Sequence, residues 1–436
     1  MAISRRGMLK AAGAAGIACG VDGFLSVPGL RGLAFAEEPA ARPLLVVLHL
    51  RGGCDGLNLV SPANDKDFVA ARASELRVAD SGSDAGHPLA RGPAKGIDFR
   101  LHSAAKGLAE LYDSGHLAFV HAAGLTAETR SHFVAIDMIE RGIADTAGLG
   151  RTSSGWLARH LAALGASSPV GAVSTAPGLS GEFLSWPGAV SVSDLNGGFG
   201  APGGAQGDNV LHRLYAADAA TGDVGAAGRT ALAAMRLLDG RLARDAQNKV
   251  VPYAPAEGVT YDPAGELARP LKTVAQLAKM DVGLEVATVD LGGWDTHEGQ
   301  QGRFRACVDR LSTGLAAFWN DMAPFHDRLI VLVQGEFGRR LRSNRSGGTD
   351  HGRAGVIAVL GGRVAGGRIY GPWPGLATEK LDEGVDLAVT TDYRRVVTEV
   401  LAQRTGAATP PELFPGYKYP GPLGLFHADG NIVRRS

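Results

Sequence analysis

Arg328–Gly355 reads RLIVLVQGEFGRRLRSNRSGGTDHGRAG. Its first seven residues are apolar almost without interruption, too short a run for a typical helix and closed by a glycine. A run of that length without polar alternation is the pattern of a strand buried on both faces, as in a parallel sheet covered by helices. Glu336 stands just past the end of that strand. Four arginines follow (Arg339, Arg340, Arg342 and Arg345), then Asp350-His351 between glycines, then a second apolar run from Gly355 to Leu360.

The same pattern recurs along the chain. Leu44–Leu50 (LLVVLHL) ends at RGGCDG, and Leu117–Gly124 (LAFVHAAG) runs into LTAETRSHF. Val170–Thr175 is a shorter strand, and Leu284–Leu291 (LEVATVDL) runs into GGWDTH. Helices are expected between them: Ser103–Ser114 with Ser103 as N-cap, Arg130–Gly142, Thr230–Asp239, Gln301–Met322, and Asp392–Leu401 capped by Thr391. The Gly/Ala/Asp-rich stretch from Ser191 to Gly228 reads as an irregular surface excursion. Prolines at 410, 411, 415, 420 and 422 predict an extended C-terminal arm over about 409–436. Buried strands alternating with helices predict an α/β fold, a doubly wound, mostly parallel sheet with helices on both faces. Residues 37–436 are expected to form one such domain.

Composition narrows the partners. The 436 residues carry 44 basic and 44 acidic side chains, without the basic surplus of a nucleic-acid binder. The N-terminus reads as an address: SRRGMLK (Ser4–Lys10) has the twin-arginine pattern, Ala11–Gly20 is mildly apolar, and Ala34-Phe35-Ala36 supplies small residues for cleavage. Residues 1–36 are therefore expected to be a signal peptide read by the twin-arginine translocase, which delivers the mature chain to the periplasm or beyond. Removing them leaves 40 basic and 43 acidic residues, a net of −3. No later stretch is apolar enough to span a bilayer. Cys54 and Cys307 remain, enough for one disulfide in an oxidising compartment.

In sheets of this kind a ligand binds beyond the carboxyl ends of the strands. That rule gathers Asp55, Asp295, His297, Glu336 and His351 at one rim, with Thr126, Thr129, Ser131 and His132 at a helix start. Asp, Glu and His together form the donor set of a divalent ion such as Zn²⁺ or Mn²⁺. Asp350 would orient His351, with His132 in a similar supporting place. Each residue has a plainer role too: a turn aspartate at Asp55, a capping turn at Asp295-Thr296-His297, a surface ion pair from Glu336 to Arg339 or Arg340. The loop arginines, Arg339 foremost, suit a bidentate anion, and the helix start at Ser131 suits one as well.

The motifs VVLHLRGGCDGLNLVSP, TRSHFVAIDMIERG, GWDTH, GEFGR, GGTDHG and YGPWPGL, in this order from about Pro43 to Phe414, resemble an exported bacterial family. It is known as the domain of unknown function 1501 family and is placed in the alkaline phosphatase and sulfatase superfamily. The resemblance implies an alkaline phosphatase-like fold and a hydroxyl nucleophile at Ser131, with Thr126 and Thr129 as rivals. It also implies metal ligands at Asp55, Asp295, His297, Glu336 and His351, and a co-encoded exported protein as partner. Glu336-Phe337 replaces the superfamily's Asp-His, and Asp295 and His297 are two apart where the superfamily has a spacing of four. One ion is therefore expected rather than two.

Two functions follow as expectations. One is an exported metal-dependent hydrolase of phosphate or sulfate esters acting on a small anionic ester or glycan. The other is a non-catalytic binding or assembly protein that keeps the fold.

Overall fold

The computed structural model describes residues 42–165, 168–200, 203–216 and 222–428. The export signal expected over 1–36 lies outside them. The main sheet has strands β1 (Leu44–Leu50), β2 (Leu117–Gly124), β3 (Ala172–Ser174), β4 (Ala189–Ser191), β5 (Val286–Leu291), β6 (Leu329–Gly335), β7 (Gly355–Gly361), β8 (Arg368–Tyr370) and β9 (Thr391–Asp392). Their order across the sheet is β8-β2-β7-β6-β1-β5-β3-β4, with β9 also paired to β2. All pairings are parallel except those of β7, which is antiparallel to both β6 and β2. The sheet is thus mostly parallel, as expected. β7 is the strand that the strand-end rule misreads: Asp350 and His351 reach the rim by preceding a reversed strand.

β1 shows why these runs carry no polar alternation. Val46 and Leu48 face one core, and Leu45 and Val47 face another. Helices α1 (Lys106–Asp113), α6 (Ala268–Lys279) and α7 (Gln300–Asp321) close the first face. Helices α2 (His132–Arg141), α3 (Trp156–Leu164) and α8 (Tyr393–Thr405) close the second. All seven β1 residues are buried. At about 1.5–3 kcal/mol for each large apolar side chain, such strands dominate the gain from folding.

Several boundaries differ from expectation. The first helix starts at Lys106 rather than Ser103, because the Ser103 hydroxyl is engaged with Asp84 at 2.9 Å. Asp392, not Thr391, caps α8, accepting from the Arg394 N–H. The excursion over 191–228 is largely helical: α4 (Gly204–Ala216) and α5 (Gly222–Arg241) pack as a pair. A three-stranded antiparallel sheet of Val60–Pro62, Phe99–Leu101 and His87–Pro88 was not foreseen. In the C-terminal arm, the Glu399 carboxylate takes the backbone N–H groups of Leu423, Gly424 and Leu425 at 2.6–2.9 Å, which pins the arm to α8. Cys54 and Cys307 are buried free thiols, so the disulfide considered above is absent.

Candidate metal centre

The rim is built by loops tied to each other through backbone groups. After β1 the chain turns at Gly52 (φ 119°) and Gly53 (φ 67°), a conformation that favours glycine. Glu336 holds this turn. Its carboxylate accepts the Gly52 N–H at 2.9 and 3.1 Å and the Gly53 N–H at 2.7 Å. The side chain is 3% exposed. Glu336, expected as a ligand, is instead a clamp on the turn, because both oxygens are already taken by backbone donors.

Arg339 needs a similar correction. It is 1% exposed and donates to the carbonyls of Gly53 (2.7 Å), Thr349 (2.8 Å), Gly52 (2.5 Å) and Trp294 (3.2 Å), and to Asp295 Oδ1 at 2.6 Å. With its donors committed inward it has no fork left for a substrate anion. Gly338 makes this close packing achievable, since a Cβ there would overlap the Ala354 carbonyl.

Asp55 lies deeper. It is 0% exposed, ion-paired with Arg72, and accepts from Gln300 Nε2 at 2.6 Å. It is the acid of an internal ion pair rather than a rim ligand. Arg72 and Gln300 come from distant segments, and no local sequence signal announces them.

Four other side chains converge. The reacting atoms of His132, Asp295 and His351 all lie within 4.8 Å of one another. His297 Nε2 is 2.9 Å from His351 Nε2 and 3.1 Å from Asp295 Oδ1, and His351 Nε2 is 3.2 Å from the same oxygen. His132 Nε2 is 3.7 Å from Asp295 Oδ2. His132, expected in a supporting place, has its ring in the cluster itself. Phe337 packs beside it, with its ring centroid 4.8 Å from those of His132 and His351.

Hydrogen bonding fixes the protons. His351 Nδ1 lies 2.8 Å from the Arg130 carbonyl, an acceptor, so Nδ1 carries the hydrogen. His297 Nδ1 lies 3.3 Å from Asp350 Oδ1, which assigns its hydrogen the same way. With the rings neutral, both Nε2 lone pairs face each other and the Asp295 carboxylate. Three acceptors about 3 Å apart without a donor between them repel unless a cation sits among them. Both nitrogens of His132 are buried without a hydrogen-bond partner. The donor set, with the outer N–H of His351 held by a carbonyl and that of His297 by a carboxylate, suits a divalent ion. Burial works to raise the Asp295 pKa, but the Arg339 guanidinium outweighs it and holds the carboxyl at about 2. Burial, with the Arg339 charge, moves the His351 pKa down, which keeps its lone pair free.

Ser131 is the N-cap residue of α2, exposed, with no side-chain capping bond. It sits between Arg130, whose carbonyl holds His351, and His132. Thr129 Oγ1 accepts the Ser131 N–H at 3.3 Å, and Thr126 is exposed nearby in sequence. Arg340 approaches Asp386 at 3.9 Å, while Arg342 and Arg345 are exposed. Arg130 is paired with Asp386 and Glu383, which fixes its carbonyl.

Residues 268–411 match a family described as "Protein of unknown function (DUF1501)". No curated protein matches the chain. Among solved structures, the lipoteichoic acid synthase LtaP from Listeria monocytogenes is similar at 8% identity and a TM-score of 0.32, over 74% of this chain and 66% of that one, just under two thirds of its length. The structure named Ps i-CgsB is similar at 10% identity and a TM-score of 0.35, over 85% of this chain and 74% of that one.

Proposed function

We propose that the chain is an exported metal-dependent hydrolase of phosphate or sulfate esters, with one divalent ion, Zn²⁺ or Mn²⁺, held by His132, Asp295, His297 and His351. The observation that carries this reading is the meeting of two imidazole Nε2 atoms and a carboxylate oxygen at 2.9–3.2 Å from one another. A bound ion would supply Lewis-acid stabilisation of the charge that develops on a phosphoryl or sulfuryl oxygen. Ser131 is the proposed nucleophile: its Oγ bonds to phosphorus or sulfur as the ester oxygen departs, solvent takes and returns the protons, and water then hydrolyses the covalent intermediate. The free N–H groups in the first turn of α2 favour an anion beside it. Asp350 and Asn344 steady His297.

Arg339 favours a second reading. The arginine expected to grip substrate is committed inward, which suits a non-catalytic protein that binds metal and a glycan or a co-encoded exported partner. Metal analysis of the purified chain, paired with phosphatase and sulfatase panels, separates the two. One ion per chain, lost in His297→Ala and His351→Ala, with turnover lost in Ser131→Ala, supports the hydrolase. A tightly held ion without turnover supports the second reading, and no ion defeats both. Export by the twin-arginine route is part of the proposal. Arg5→Lys with Arg6→Lys should leave precursor in the cytoplasm, and normal export of that variant would refute it.

A further inference from the structure

A cavity of about 350 Å³ opens at the N-terminus of α7, lined by Asn58, Arg77, His102, Gln301, Gly302 and Arg305 among others. That volume is at the lower end for small-molecule sites. Its floor is Asn58, 3% exposed, whose carboxamide has no hydrogen-bond partner among the described residues. α7 has 22 residues, no side-chain cap and no acid in its first turn. The Gln300 N–H is taken by the Gly347 carbonyl at 2.9 Å, but the N–H groups of Gln301 and Gly302 find no acceptor among the described residues.

The side chains add donors. His102 Nδ1 accepts the Ala104 N–H at 3.1 Å, so the proton sits on Nε2, which has no acceptor among the described residues. Burial, helped by Arg305, pushes the His102 pKa down to about 4, so the ring is neutral. Arg77 donates to the Val69 carbonyl at 3.3 Å and has no carboxylate partner among the described residues. Two acids also line the cavity. Asp84 is engaged by the Ser103 hydroxyl at 2.9 Å and by Arg305 at 2.8 Å. Glu75 accepts from the Ser74 hydroxyl at 3.1 Å and is otherwise open to a ligand's O–H.

We infer that this cavity binds a small hydroxylated oxyanion, a sugar phosphate or sugar acid, with the anionic group at the α7 N-terminus and Arg77 and the hydroxyls at Asn58 and Glu75. The excess of unpartnered donors selects the anion, and Glu75 selects the hydroxyls. The site stands on residues outside the metal cluster and does not depend on the hydrolase reading.

Isothermal titration of the full chain with glucose 6-phosphate, glucuronate and glucose tests it. At least one of the two anions should bind, and glucose should not by about 10 mM. Gln301→Glu adds a like charge at an exposed helix start, where an acid is tolerated. It should weaken binding about tenfold, and Arg77→Gln should do likewise. His297→Ala should leave the affinity unchanged. Absence of binding by both anions, glucose binding as tightly as they do, or full affinity in both Gln301→Glu and Arg77→Gln overturns the inference. Loss of binding in His297→Ala would overturn it too, by moving the ligand to the metal cluster.

Discussion

Glu336→Gln separates a clamp from a ligand. In the wild type one oxygen of Glu336 takes the Gly52 N–H at 2.9 Å and the other takes the Gly53 N–H at 2.7 Å. A glutamine keeps one acceptor and turns the other into a donor facing a backbone N–H. Hydrogen bonds to a buried charged group contribute about 1.5–3 kcal/mol, and the mismatched donor adds to the loss. An unfolding entropy of roughly 2 cal/mol/K per residue, over about 380 residues, gives about 0.8 kcal/mol per degree. The melting temperature should therefore fall by about 2–4 °C, and by more if the turn distorts. Zinc stoichiometry, measured by elemental analysis after dialysis against buffered metal, should stay at the wild-type value. An unchanged melting temperature with lost zinc would refute this reasoning and return Glu336 to the ligand set.

Asp55→Asn leaves Arg72 buried without its counter-charge and should cost about 3–5 kcal/mol in denaturant unfolding, again without loss of bound metal. Asp350→Ala removes the acceptor for the His297 Nδ1–H and should weaken zinc binding about 10–100-fold in competition with a chelator, with little change in stability at this half-exposed position. The buried pair of His49 and Glu182, 2.6 Å apart, should give stability a pH window. Against the cost of burial, Glu182 moves the His49 pKa up, so this contribution is full below the ordinary histidine value of 6.5 and is lost as pH rises through the folded value. Burial opposes ionisation of Glu182 as well, yet His49 holds it at about 2, so its contribution is full above 4.5 and is lost as pH falls toward 2. Melting temperatures of wild type and His49→Gln should differ most between about pH 4.5 and 6.5, and a constant difference from pH 4 to 9 would count against the pair.

The buried strands were legible because a sheet covered on both faces forces unbroken apolar runs, and β1 and β6 fall almost where LLVVLHL and RLIVLVQ put them. The reversal of β7 was not, since an apolar run reads the same in either direction and only its pairings with β2 and β6 show its sense. Thr230–Asp239 was legible as helix, but glycine-rich α4 and the start of α5 over 222–228 passed for loop because glycine disfavours an isolated helix, and packing of α4 on α5 overrides that preference. At the rim, strand-end position brought Asp295, His297 and His351 to one place. The same rule could not tell them from Asp55 and Glu336. What separates these groups is supplied from far along the chain by Arg72, Gln300 and the Gly52 and Gly53 N–H groups, and backbone donors leave no mark on a sequence.

Because β7 runs back along β6, the segment 336–354 leaves and re-enters the sheet at the same edge, closed on itself by Gly338 N–H to Arg353 carbonyl, Gly352 N–H to Gly338 carbonyl and Arg340 N–H to Asp350 carbonyl bonds of 2.8–2.9 Å. No crossover helix intervenes, so the segment holds together on its own backbone bonds, with Glu336 and Arg339 fixing it to the rim. In amide hydrogen exchange these three N–H groups should therefore share one opening rate, faster than that of β6, and loading the cluster with zinc should slow all three together through His351.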